Sequence, residues 1–253
     1  GELFAGARPE DICCVTLDAP RVAALPIPDG VHRITYGSSD DCDVQLRSFQ
    51  VDGEQYRTNV TIQTPCGVIE SFIPIPGDFM ASNACAAVAA GYAAGIPLAE
   101  MERGLQNYQP IGDRMKLSEI GNTKFINDSY NANTLSMTAA LNSLSRLQAS
   151  QKIVLLGDML EMGDEEAKAH LEVLQMAIFQ GYQIGIVGPR FHKAFLSLPQ
   201  QQQESVLWQT NTSLEMSALI NALPPQPRII LLKGSRGMKM EQVLHNYDGV
   251  HND

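Results

Sequence analysis

Asp128-Ser129-Tyr130-Asn131-Ala132-Asn133 puts a carboxylate, a hydroxyl and two amides within six residues. An apolar pair, Phe125-Ile126, runs into them, and Leu135, Met137, Leu141 and Leu144 follow at helical spacing. The spacing predicts a strand that ends in polar groups and feeds a helix. In open α/β sheets that junction, at the carboxyl end of the strands, is where ligands bind. Thr134 and Ser136 are expected to cap the new helix, whose free N–H groups favour an anion. The competing reading is a turn rich in Asn and Ser because those side chains suit turns.

Two further strand ends carry polar groups. Gly157-Asp158-Met159-Leu160-Glu161-Met162-Gly163 offers two carboxylates that could hold a magnesium-bound phosphate or hydrogen-bond a ligand. The competing reading is that they merely cap the next helix. Lys233-Gly234-Ser235-Arg236-Gly237 combines two cations with a glycine turn, which suits an anion but also an ordinary exposed loop. Earlier in the chain, Asn83 lies at a strand–helix junction and could read a base edge or cap. Arg114 follows Pro110-Ile111-Gly112, the best candidate for a domain boundary.

Several chemistries are excluded. No Gly-x-x-x-x-Gly-Lys-Ser/Thr loop and no Gly-x-Ser-x-Gly elbow occurs. The five histidines (His32, His170, His192, His245, His251) form no zinc pattern; His170 stands out because it follows Asp158 and Glu161. A net charge of −10 without any Lys/Arg cluster argues against nucleic acid or an anionic membrane surface. Cys13, Cys14, Cys42, Cys66 and Cys85 lack metal-ligand spacing and fit a reduced, cytoplasmic setting. No apolar run is long enough to cross a membrane, and the N-terminus, which reads as the middle of a helix, is no signal peptide.

The elements that must position these groups divide at the boundary. Residues 12–75 read as strands, with hairpin signals at Asp52-Gly53 and Pro65-Cys66-Gly67; their alternation predicts an antiparallel sheet with one wet face. An alanine-rich helix over 82–95 and a second over 98–108 follow. Strands are then expected at 115–119, 123–127, 153–156, 183–187, 205–208 and 228–232. Helices should cover 135–148, 164–180, 189–197, 213–222 and 237–247. That alternation implies βαβ units and a mostly parallel sheet. Gln200 to Gln203 reads as a surface loop.

Taken together, the three strand-end motifs, with Met240-Glu241 after the last, resemble the Mur ligases. Within that family they are closest to members that join D-Ala-D-Ala to UDP-N-acetylmuramoyl-tripeptide. The resemblance runs through nearly all of 112–247 and continues more weakly through 1–111. It implies an α/β chain: residues 1–111 as the later part of the family's central ATPase domain, and 112–253 as its Rossmann-like C-terminal domain with a mostly parallel sheet. The implied reaction phosphorylates the tripeptide carboxylate with ATP and couples the acyl phosphate to the dipeptide amine. The implied ligands are ATP and Mg2+, the latter held mainly by residues upstream of residue 1. The implied substrates are UDP-N-acetylmuramoyl-tripeptide and D-Ala-D-Ala, used by a cytoplasmic monomer.

By the same resemblance Arg114 contacts ATP phosphate, Asp128 anchors the ribose, Asn131 and Asn133 flank the nucleotide, and Asn83 meets the adenine. Lys233, Ser235 and Arg236 face the peptide or dipeptide carboxylate, with Asp158 and Glu161 in support. The sequence departs from the family pattern at three places. Phe79-Met80 stand where it reads His-Asn, Thr16-Leu17-Asp18 where it reads Asn-Ala-Asp, and Thr134 where it has proline. Two alternatives remain open: a Mur-type ligase with another acceptor, and a non-catalytic Mur-like binding module.

Overall fold

The computed structural model describes residues 2–248, with nothing stated of the Glu2 and Leu3 side chains. His251 therefore lies outside the described residues. The chain separates into two compact units, residues 1–109 and 110–253.

The first unit holds one five-stranded sheet in the order β1-β2-β3-β4-β5. Its strands are β1 (Ile12–Thr16), β2 (His32–Gly37), β3 (Val44–Asp52), β4 (Arg57–Thr64) and β5 (Gly67–Ile73). Short helices α1 (Glu2–Ala5) and α2 (Pro20–Ala23) precede the longer α3 (Asp78–Ala93) and α4 (Leu98–Gln106). In β4 every second residue (Thr58, Val60, Ile62, Thr64) is buried, so one face is wet as the alternation predicts. Helix α3 covers the other face through Met80, Ala81, Ala84, Cys85 and Val88. Its alanines let it pack closely on the sheet.

The sheet is not antiparallel throughout. β1 pairs with β2, and β2 with β3, in parallel; only β3-β4-β5 is an antiparallel meander. Alternating burial reports which face is covered and carries no information on strand direction, so the expectation failed there. Asp18, just past β1, ties the two parallel strand ends together by accepting the backbone N–H and the hydroxyl of Ser38. Gly37 (φ 147°) permits this, because a Cβ there would sit 2.7 Å from the Asp18 carboxylate.

The second unit is a six-stranded sheet in the order β10-β9-β8-β11-β7-β6. Its strands are β6 (Lys116–Ile120), β7 (Thr123–Asp128), β8 (Lys152–Gly157), β9 (Gln183–Val187), β10 (Val206–Thr210) and β11 (Arg228–Lys233). Only β6 runs antiparallel to its neighbour. Helices α5 (Thr134–Arg146), α6 (Glu166–Phe179), α7 (Pro189–Leu196), α8 (Gln200–Gln203), α9 (Ser213–Asn221) and α10 (Glu241–His245) link the strands. Gln200 to Gln203 is thus a single helical turn started by Pro199, not a loop. The last expected helix is shorter than its pattern suggests. A 3-10 turn at Arg236–Met238 and a left-handed Lys239 (φ 51°) delay its start to Glu241.

One face of this sheet buries Phe125, Ile153, Leu155, Ile230 and Leu232 against Met216 and Ile220 of α9 and Val243 of α10. Near-continuous burial of β8 and β11 is what a parallel sheet covered on both faces requires. Strand β11 enters the sheet between β7 and β8, although it is last in sequence. That insertion brings the three polar strand ends side by side.

Candidate functional site

The register of β11 aligns Lys233 with Asp128 of β7 and with Leu156 of β8. Lys233 is almost fully buried, yet its ammonium is saturated. It donates to Asp128 Oδ2 at 2.6 Å, to the Asn131 carbonyl at 3.1 Å and to the Asp128 carbonyl at 3.4 Å. The other carboxylate oxygen of Asp128 accepts the Met115 N–H at 3.2 Å. The lysine is therefore the clamp that shapes the 128–131 turn, and it presents no free proton to a ligand.

Beyond Asp128 the chain is capped by Asn133, not by Thr134. Asn133 accepts the Ser136 N–H at 2.9 Å, and the Ser136 hydroxyl accepts the Asn133 N–H at 3.1 Å, a reciprocal capping box. Thr134 instead begins the helix. Asn131 is exposed, and its side-chain oxygen takes the Ala132 N–H at 2.8 Å. Ser129 is buried and donates to Asn127 at 2.6 Å.

The 157–163 loop is held from three sides. Asp158 is fully buried and accepts the Arg190 and Phe191 N–H groups at 3.0 and 2.9 Å. It thus caps α7, one helix further along than α6, the next helix in sequence that the competing reading gave it. A carboxylate there also meets the positive end of the helix. Gly188 (φ 108°) makes room, since a Cβ would come within 2.6 Å of the Asp158 carboxyl group. Arg190 bonds Glu166 at 2.6 Å, which holds the Glu166 carboxyl below its usual range and pushes the guanidinium up.

His170 is buried and accepts the Met159 N–H at 2.9 Å through Nε2, while Nδ1 donates to the Glu166 carbonyl at 2.7 Å. Its role is to hold the loop. Ser235, also buried, accepts the Leu160 N–H at 2.8 Å and donates its own N–H to the Asp158 carbonyl at 3.1 Å. Glu161 is exposed in a left-handed conformation (φ 62°), uncommon for a residue of its kind.

What remains available to a ligand is mainly cationic. The Arg114 and Arg236 guanidinium carbons lie 4.3 and 5.5 Å from the centre of the Tyr130 ring. Both arginines are exposed, and neither forms an ion pair among the described residues. Tyr130 was legible only as a turn residue; no sequence signal marked its ring as a platform. Asn83, in the first unit, is an exposed residue of α3 and not a cap. It borders an apolar groove of about 310 Å³ between α3 and α4. Among the described residues no group of three or more His, Cys, Asp or Glu side chains could hold a metal ion. No helix among them is long and apolar enough to cross a membrane.

A mostly parallel sheet with helices on both faces, carrying polar strand ends joined at one edge, defines the second unit as a Rossmann-like α/β domain. The chain belongs to the Mur ligase family. Residues 1–91 match the Mur ligase middle domain, and residues 113–236 match the Mur ligase, glutamate ligase domain. Among relatives, the UDP-N-acetylmuramoyl-tripeptide–D-alanyl-D-alanine ligase of Escherichia coli (strain K12) is 29% identical over 248 residues. That match covers 96% of this chain and 53% of the relative. The crystal structure of MurF from Acinetobacter baumannii superposes with a TM-score of 0.83 at 25% identity, over 97% of this chain and 54% of that one. MurF ligase from Thermotoga maritima, solved in complex with ADP, shares the fold with a TM-score of 0.77 at 16% identity, over 97% and 55%. The chain thus spans about half the length of the relatives it matches.

Proposed function

We propose that this chain is the C-terminal portion of an ATP-dependent ligase that adds D-Ala-D-Ala to UDP-N-acetylmuramoyl-tripeptide in peptidoglycan precursor synthesis. The observation that supports it best is the pair of guanidinium groups without an ion-pair partner at the strand ends, in a chain that matches an enzyme of that name over 248 residues. Phosphoryl transfer to a carboxylate concentrates negative charge, and catalysis consists mainly of neutralising that charge and aligning the incoming amine. Arg114 and Arg236 are cations free to do the first.

On this reading residues 1–111 belong to the central domain and 112–253 form the C-terminal domain. The nucleotide-side residues are Asn83, Arg114, Asp128, Asn131 and Asn133; the peptide-side residues are Asp158, Glu161, Lys233, Ser235 and Arg236. They act in two ways. Asn83, Arg114, Asn131, Arg236 and Glu161 present exposed polar groups. Lys233, Ser235, Asp158 and Asn133 hold the strand-end loops in the shape the ligand meets. Asp128 does both: each of its oxygens keeps a lone pair that can accept a ribose hydroxyl. Among the described residues no group of three or more His, Cys, Asp or Glu side chains could hold Mg2+. The protein is proposed to act as a cytoplasmic monomer.

Each turnover converts ATP to ADP and phosphate, and it requires both the tripeptide carboxylate and the dipeptide amine. Measuring ADP release by the complete reading frame that carries this chain, with a panel of amino acids and dipeptides as acceptors, tests this. Release is expected with D-Ala-D-Ala and not with single amino acids. Release driven by a single amino acid would favour the second reading, a Mur-type ligase with another acceptor, which the match to a glutamate ligase domain keeps in play. The 253-residue chain by itself is expected to turn over no ATP.

A further inference from the structure

We infer that Tyr130 is a positioning residue that joins Arg114 and Arg236 into one clamp for a phosphate-type oxyanion, so that the two arginines serve one ligand. The motif reading gives them separate partners, a nucleotide phosphate for one and a peptide carboxylate for the other. Their geometry does not. Both guanidinium groups lie within 5.5 Å of the same ring centre. Two like charges gathered around one ring repel, and an anion bound by both relieves that repulsion.

The ring itself is held firmly. The Tyr130 N–H donates to the Asp113 carbonyl at 3.1 Å, which binds the tyrosine to the residue just before Arg114. Gly112 lies against its edge, where a Cβ would sit 3.7 Å from Cδ2. The turn on either side is fixed by Lys233, through the carbonyls of Asp128 and Asn131. Arg236 comes three residues after that lysine, and the intervening Ser235 is pinned to the 158–160 loop. Both arginines thus leave anchored backbone and share one aromatic ring, an arrangement that costs little reorganisation when an anion arrives. The choice of a phosphate-type anion rests on the ligase reading; the convergence of the arginines does not.

Tripolyphosphate can serve as the probe, titrated into the 253-residue chain while the Nε–Hε NMR signals of Arg114 and Arg236 are followed. Both signals are expected to shift with one dissociation constant in the native chain and in Tyr130→Phe, which keeps the ring. Tyr130→Leu is expected to weaken binding about tenfold and to separate the two responses. The backbone amide spectrum checks that the variant, altered at an exposed side chain, remains folded. Different constants for the two arginines in the native chain, or native affinity in Tyr130→Leu, would overturn the inference. So would a response to D-Ala-D-Ala with none to tripolyphosphate. Because no turnover is needed, failure of the clamp and failure of the ligase assignment are separate results.

Discussion

The ammonium of Lys233 lies 2.6 Å from Oδ2 of Asp128, although 105 residues separate them. The lysine side chain is 2% exposed and the aspartate side chain 14% exposed, so the pair is shielded but unequally so. Asp128 can turn to water if its partner is lost. Lys233 cannot.

That asymmetry has a measurable result. Asp128→Ala strands a buried cation and is expected to destabilise the second unit by about 3–5 kcal/mol, whereas Lys233→Met should cost less, about 1–3 kcal/mol. Lys233→Met placed in the Asp128→Ala background should recover much of the loss. Urea unfolding followed through Trp208 reports on this unit, since it is the single tryptophan and packs against this unit's core. Losses that simply add in the double variant would show that the two residues are not coupled.

Asp158 offers a test of structure against ligand contact. With both oxygens spent on the first turn of α7, Asp158→Ala leaves two N–H groups without an acceptor, that of Phe191 buried and that of Arg190 partly so. The expected loss is about 2–4 kcal/mol, with Asp158→Asn losing less because one acceptor survives. If Asp158→Ala unfolds like the native chain but abolishes ligase activity in the complete protein, the carboxylate meets substrate directly.

In the first unit, the Thr35 N–H and hydroxyl both donate to Asp43 at 2.7 Å, and they hold its carboxyl below the ordinary value. A carboxyl depressed in the folded state contributes stability above its unfolded value, about 4, and loses it as pH falls through the folded value. The Asp43→Asn variant should therefore show a shallower acid limb in a plot of stability against pH. Because Asp43 is exposed, the increment is small. Identical acid limbs in native and variant chains would contradict this account.

The sites were more legible than their wiring. Strand-end motifs mark Asp128, Asp158 and Lys233 because polar groups after apolar runs stand out along a chain. Which of them touch depends on β11 entering between β7 and β8, and nothing local to Arg228–Lys233 announces that neighbour choice. Capping went to Asn133 because its side chain could reach the third N–H of the helix, with Ser136 returning the bond. As a cap, Asp158 reads in sequence as serving the helix that follows it, yet the N-terminus beside it in space is that of α7. The parallel β1-β2-β3 edge was missed for the same kind of reason: burial alternates alike in parallel and antiparallel strands with one wet face. Tyr130 was visible only as a turn residue, since its meaning comes from two arginines 16 residues before and 106 after it.

The acyl-phosphate route fixes where one oxygen atom must go. When ATP phosphorylates the tripeptide carboxylate and the dipeptide amine displaces the phosphate, one carboxylate oxygen leaves with the phosphorus. UDP-N-acetylmuramoyl-tripeptide labelled with 18O in that carboxylate should therefore give inorganic phosphate carrying one 18O per turnover, when D-Ala-D-Ala and ATP are supplied to the complete protein that carries this chain. Phosphate released without label would contradict the account.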